Sequence, residues 1–271
     1  MAASLDHIVT ATRRRVCEVR RSADLRELEQ QAAEYTPRGF RRFLESAAVA
    51  KGLAVIAELK KASPSRGLIR ADFDAKTLAA ELADAGATAL SVLTDEEFFQ
   101  GSLDNLRHAS AACQLPCLRK DFIVDEFQLL ESRANHADAV LLIVAALSQA
   151  ELIGLTMQSR ECGLDVLCEV HDEEELQRAL DAGCSLIGVN SRDLRTFQVH
   201  LDTAFRLAGR FPRNTVRVAE SGIQSGEDIA RLRAEGYQAF LIGESLMKAK
   251  SPGEALRSLI LDAGALLRTE N

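Results

Sequence analysis

The chain has 271 residues, a net charge of −7, a mean hydropathy of −0.05 and 47% hydrophobic residues, with few aromatics and no tryptophan. That balance excludes a general nucleic-acid or membrane-surface binder. No run approaches the roughly 18 apolar residues of a membrane span, so no nucleic-acid and no membrane partner is expected. Charges at Asp6, His7 and Arg13 to Arg15 precede any long apolar run, which argues against a signal peptide and for a cytoplasmic protein. Six cysteines lack Cys-x-x-Cys spacing and five histidines are scattered, so reduced, mostly buried thiols and no metal are expected.

Residues 1–52 read as a helical N-terminal extension, with predicted helices over 5–19, 23–31 and 39–50. Pro37 and Gly39 punctuate it, and Arg13–Arg15 with Arg20 and Arg21 are expected to form a solvated face. Such an extension would cover an end of the main domain or help to cap a substrate. From residue 53 the pattern changes. Short apolar or β-branched runs alternate with amphipathic helices, several closed by a glycine. Strands are predicted near 55–59, 89–93, 117–119, 139–143, 165–168, 186–189, 216–219 and 239–242. Helices are predicted over 74–85, 103–112, 125–134, 149–160, 172–182, 201–210, 226–235 and 252–263. Eight βα units over 53–271 give the fold class: α/β, a (β/α)8 TIM barrel behind a helical N-terminal extension. An open doubly wound sheet usually carries a Gly-rich dinucleotide fingerprint after its first strand, and none is present.

In such a barrel, functional groups sit at the carboxyl ends of the strands. The first strand ends in Glu58 and Lys60, two residues apart and so on one face, with Ser63 in the turn beyond. A carboxylate and an ammonium on the inward face of an apolar strand are costly to bury and point to a catalytic site. Lys120, Glu169, Asn190 and Glu220 end later strands, with Arg192 two residues after Asn190. The last two strands lead into Ser221-Gly222 and Gly243-Glu244, the latter opening a short extra helix. Backbone N–H groups there are expected to form a phosphate site. The backbone of Glu244 is expected to bind while its side chain points away.

Seven motifs in order resemble one family over essentially the whole chain: Glu58-Leu59-Lys60-Lys61-Ala62-Ser63-Pro64-Ser65, Leu93 through Phe99 to Ser102, Leu118-Arg119-Lys120-Asp121-Phe122, Glu169-Val170-His171, Gly188-Val189-Asn190-Ser191-Arg192-Asp193-Leu194, Ala219-Glu220-Ser221-Gly222-Ile223, and Leu241-Ile242-Gly243-Glu244-Ser245-Leu246-Met247. The family is indole-3-glycerol-phosphate synthase. The resemblance implies the substrate 1-(2-carboxyphenylamino)-1-deoxyribulose 5-phosphate, a small-molecule sugar phosphate. The aromatic carbon bearing the carboxylate attacks the ribulose carbonyl, carbon dioxide leaves, then water, and the indole ring forms.

By that resemblance Lys120 is the acid for the carbonyl step, and Lys60 and Glu169 are acid and base for dehydration. Glu58 and Asn190 orient and tune them. Sequence leaves open which lysine serves which step. Phe99, Leu93 and Leu194 are read as apolar walls for the aromatic ring, and Arg192 as a cation supporting the site. His171 is read as structural and Lys61 as a solvated neighbour. No cofactor and a monomeric enzyme are expected. A non-catalytic phosphate-binding barrel and another sugar-phosphate enzyme on the same fold are the alternatives.

Overall fold

A computed structural model describes residues 4–193 and 198–269. Eight parallel strands close a barrel in sequence order: β1 (Ala54–Leu59), β2 (Ala89–Leu93), β3 (Cys117–Lys120), β4 (Ala139–Ile143), β5 (Asp165–Val170), β6 (Leu186–Asn190), β7 (Val216–Glu220) and β8 (Ala239–Ile242). β1 pairs with both β2 and β8, which closes the ring. All eight strands fall where the sequence places them. Four run one or two residues further at the carboxyl end, and the added residues include Lys120, Asn190 and Glu220. Sequence pattern ended these strands just before Lys120, Glu169, Asn190 and Glu220. The ladder continues because a parallel barrel pairs every strand on both edges whatever its side chains are.

The period of two along a strand sorts the residues into two cores. Ala54 and Ile56, Ala89, Leu118, Ala139 and Leu141, Leu167, Leu186, Val216 and Val218, Ala239 and Leu241 point inward and fill the barrel. Alternate residues such as Val55, Ala57, Val92, Cys168, Ile187, Val189 and Ala219 point outward and pack under the helices. Both faces of the strands are therefore buried, which is why they read as apolar runs rather than alternating ones.

The extension forms α1 (Leu5–Ser22), α2 (Leu25–Glu34) and α3 (Phe40–Lys51). Ser4 and Asp24 cap the first two through their side chains, accepting from His7 N and from Arg26 N and Glu27 N. The extension works at both ends of the barrel. Phe40 and Leu44 of α3 are fully buried in the inner core beside Ala54, Ala89, Ala139, Val216 and Ala239, and so plug the amino-terminal end. α1 lies over the opposite mouth, where Leu5 and Ile8 line the cavity.

Four of the five arginines of α1, Arg13, Arg14, Arg20 and Arg21, are exposed as a solvated face, but three of the set also dock the helix. Arg13 pairs with Glu151, Arg15 with Asp95 and Asp121, and Arg20 with Asp125 and Glu126. These acids sit in the loops after β2 and β3 and on neighbouring helices, which sequence proximity does not reveal. The last helix also departs from expectation. It runs from Pro252 through Thr269, past Gly264, because apolar Leu259, Ala263 and Leu267 continue one face against the outer core. A hairpin of Ala62–Ser63 with Gly67–Leu68, which the sequence pattern does not predict, shapes the loop after β1.

Candidate active site

The uppermost inward residues of the strands carry the charge. Above the apolar layers stand Glu58 of β1, Lys120 of β3, Glu169 of β5, Asn190 of β6 and Glu220 of β7, around a cavity of about 610 Å³. Every residue singled out from sequence lines this cavity except Leu194, which lies outside the described residues: Glu58, Lys60, Ser63, Leu93, Phe99, Lys120, Glu169, Asn190, Arg192, Glu220, Ser221, Gly222, Gly243 and Glu244.

Lys120 is the hub. Its Nζ donates to Glu169 Oε2 at 3.0 Å and to Glu220 Oε2 at 2.7 Å. Burial opposes its charge, but the carboxylates of Glu169, Glu220 and Glu58 outweigh that and raise its proton affinity well above the ordinary lysine range. Lys60 Nζ donates to Glu58 Oε1 at 2.5 Å, nearer the mouth. Glu58 is buried, which favours its neutral form, yet Lys60 and Lys120 hold it below the usual carboxylate range. Glu169 is likewise buried and likewise held down, by Lys120, by His171 and by Asn190, whose Nδ2 donates to Oε1 at 3.1 Å.

Glu220 behaves differently. Burial is the largest influence, Glu169 and Glu58 add repulsion, and together they outweigh Lys120 to push its carboxyl up to about 7. Its Oε1 is buried without a hydrogen-bond partner. Room for it comes from β6, where a side chain at Gly188 would collide with that oxygen. The sequence grouped Glu220 with the phosphate loop next to it. The structure stands it inside the carboxylate–lysine cluster, one inward residue below that loop.

The loop after β7 turns through Ser221 at φ 62 and Gly222 at φ 83. Two left-handed residues in succession favour glycine, and Val199 leaves no space for a side chain on Gly222. Gly243 precedes the short helix Glu244–Lys248. Both turns line the mouth of the cavity, the place expected of a phosphate site after the last two strands of such a barrel. The side chain of Glu244 does not point away. It meets Arg66 at 3.1 Å, Arg192 at 3.2 Å and Lys248 at 2.6 Å, tying three cations to the rim. The cations draw the side chain in, which an argument from repulsion by phosphate alone missed.

The opposite wall is apolar. Leu93 ends β2, and Phe99 closes a short helix, Glu96–Phe99, capped by Asp95. The rings of Phe99 and Phe122 lie 6.2 Å apart. Leu5 and Ile8 complete this side from α1. These two, with Arg66, Lys248 and Phe122, were not singled out from sequence. Leu5 and Ile8 carry no local signal, whereas Arg66 sits inside the Ser-Pro-Ser-Arg-Gly turn and was within reach. His171, read as structural, lies against the site, with Nε2 at 3.4 Å from Glu169 Oε1.

Comparison with known proteins agrees with this geometry. The family model described as indole-3-glycerol phosphate synthase matches residues 5–259. The chain is 58% identical over 260 residues to the indole-3-glycerol phosphate synthase of Koribacter versatilis, covering 96% of this chain and 100% of the relative. It is 48% identical over 259 residues to that of Acidithiobacillus ferrooxidans, covering 95% and 98%. A solved structure, KGPDC from Streptococcus mutans, superposes with a TM-score of 0.61 at 13% identity over 80% of this chain and 98% of that one, a likeness of fold. With eight βα units, a charged upper layer and these relatives in agreement, the chain belongs to the indole-3-glycerol phosphate synthase family.

Proposed function

We propose that, in the family's ring closure, decarboxylation and dehydration, Lys120 is the general acid at the ribulose carbonyl. The observation that carries this is its position: a cation at the cavity floor, bonded to two buried carboxylates 3.0 and 2.7 Å away. As the aromatic carbon attacks, the carbonyl oxygen becomes an alkoxide and takes the proton of Lys120. A lysine held this firmly charged gives up its proton only to a strong base, and an alkoxide is one.

Dehydration then needs an acid at the departing hydroxyl and a base for the substrate carbon. Lys60, paired with Glu58 at the mouth side, serves as the acid, and Glu169, kept ionised by its neighbours, as the base. Asn190 orients Glu169 through its 3.1 Å hydrogen bond. Phe99, Leu93 and Phe122 supply the flat apolar wall for the anthranilate ring. The turns at Ser221-Gly222 and Gly243-Glu244 hold the phosphate at the other side of the mouth, supported by Arg192, Arg66 and Lys248.

Each step is a proton transfer, a carbon–carbon bond change or the acid-assisted loss of a hydroxyl, all of which these groups serve, so the reading invokes no metal and no cofactor. One chain supplies every group named, which supports a monomer as the working unit. No helix among the described residues is long and apolar enough to cross a membrane, in keeping with our assignment to the cytoplasm.

The test is a fluorescence assay of indole formation from the carboxyphenylamino-deoxyribulose phosphate without added metal, with Lys120→Ala beside the parent. Product from the parent alone supports the reading. Equal rates from a folded variant remove Lys120 from the acid role.

A further inference from the structure

Lys60 starts one residue beyond β1, so the barrel ladder does not fix it: the register of β1 with β2 ends at Leu59 opposite Val92. Its direction is set by the hairpin that follows. Ala62 pairs with Leu68 and Ser63 with Gly67. The neck of this hairpin closes on Lys61, whose carbonyl accepts from Ile69 N at 2.8 Å and from Arg70 N at 3.1 Å. The tip, residues 66–68, is exposed.

Two arginines fasten the hairpin to the short helix Glu244–Lys248 after β8. Arg66 Nε meets Glu244 Oε1 at 3.1 Å, but more than half of the Arg66 side chain is in water, where an ion pair holds weakly. Arg70 is the firmer attachment. Its Nη1 donates to Met247 O at 3.3 Å and to Ala249 O at 3.0 Å, and Asp72 lies beside the guanidinium at 3.2 Å. Carbonyls at the end of a helix have no partner within it, and charge-assisted bonds to them are the strong kind. Only 13% of the Arg70 side chain is exposed. The helix end it holds is fixed in turn, because Leu246 and Met247 are buried in the outer core. Arg70 is not among the residues that line the cavity, so any effect it has on the reaction passes through another group.

We propose that Arg70 is a positioning residue for Lys60. Its backbone N closes the neck next to Lys60, and its guanidinium ties that neck to the helix end, so the ammonium of Lys60 stands at a fixed place at the cavity. This rests on the acid role given to Lys60 above. The same helix opens at Gly243-Glu244, so the acid for dehydration and the turn assigned to the phosphate are held in one body. The phosphate and the departing hydroxyl lie on one sugar chain, and the distance between their two seats has to match it. A misplacement of about 1 Å at a reacting group costs roughly 10²-fold in rate.

The test is a double-mutant cycle on initial rates, with folding checked by thermal melts. It compares Arg70→Met, which keeps the stem and removes the guanidinium, with Lys60→Ala and with both changes together. Arg70→Met is expected to lower kcat by about 10–10²-fold with KM within about threefold of the parent. Lys60→Ala is expected to lower kcat by roughly 10²–10⁴-fold. In that background Arg70→Met is expected to cost less than about threefold more, because no ammonium remains to be placed. Arg70→Lys, whose ammonium can bond one carbonyl, is expected to recover part of the loss. A parent-like kcat in Arg70→Met overturns the proposal, and so does a rise in KM alone, which would put the effect on the phosphate turn. If Arg70→Met does not fold, Arg70→Lys is read in both backgrounds by the same criterion. A large fall in Lys60→Ala with a fully additive loss from Arg70→Met overturns the positioning role alone. A near-parent kcat in Lys60→Ala overturns the acid role, and the positioning role with it.

Discussion

Three carboxylates and two ammonium groups share the upper layer of the barrel, and the excess negative charge has to be relieved. Glu58 and Glu169 each lie against a lysine and stay ionised, while Glu220, the most crowded by like charge, is the one pushed up to about 7. Because its folded value lies above the ordinary 4.5, the native state holds that proton more tightly than the unfolded chain does. The stabilisation is fully present below about pH 4.5 and is lost as the pH rises through about 7. Glu220→Gln is therefore expected to hold its melting temperature between about pH 5 and pH 8 better than the parent does. Matched slopes in thermal melts at both pH values would show that Glu220 is ionised throughout. Loss of Lys120 acts on rate: Lys120→Ala is expected to lower turnover by roughly 10²–10⁴-fold, the range for losing a general acid, as read by initial rates on folded protein.

At the scale of strands and turns, the site depends on where side chains are absent. Gly188 on β6 lies level with Glu169 on β5, and any side chain there would strike Glu220 Oε1. Gly188→Ala is expected to displace Glu220 and cost about 1–3 kcal/mol of stability with a fall in kcat, measured by denaturant unfolding and steady-state kinetics. Gly222 serves a different partner. Its positive φ and the contact with Val199 already exclude a side chain, so Gly222→Asp adds strain, bulk and charge beside the phosphate turn. A raised KM with a smaller change in kcat is expected, and an unchanged KM would remove this turn from the binding site. The strands and turns that place these residues were legible in the sequence, because strand ends and Gly-containing turns are local patterns. The short helix bearing Phe99 and the hairpin after β1 were not, since such short elements have no periodicity to detect.

For the whole molecule, the barrel divides its duties between its two ends, and the extension serves both. Phe40 plugs the base, far from the charged layer, and is fully buried. Phe40→Ala is expected to cost about 3–5 kcal/mol of stability, the usual cost of emptying an aromatic site in a core, and to leave kcat near the parent value at low temperature. A large fall in kcat in the folded variant would mean that base and mouth are coupled. At the other end Arg15 joins α1 to Asp95 and Asp121, which precede Phe99 and follow Lys120 in sequence. The extension thus grips the two loops that flank the aromatic wall.

The sequence by itself determined the number and order of the βα units, the inward set of charged strand ends and the two glycine turns. All of these are written in local periodicity, because a strand shows its faces every second residue and a helix its face every three to four. It also determined, through ordered motifs, the family. Only the tertiary structure decided how the charges are shared: that Glu220 joins Lys120 instead of the phosphate turn, that Glu244 gathers three cations, that Arg13, Arg15 and Arg20 of α1 find acidic partners and that His171 stands behind Glu169. Those are contacts between residues far apart in the chain or on opposite sides of a turn. Their energies depend on burial and on distances that exist only once the barrel has closed.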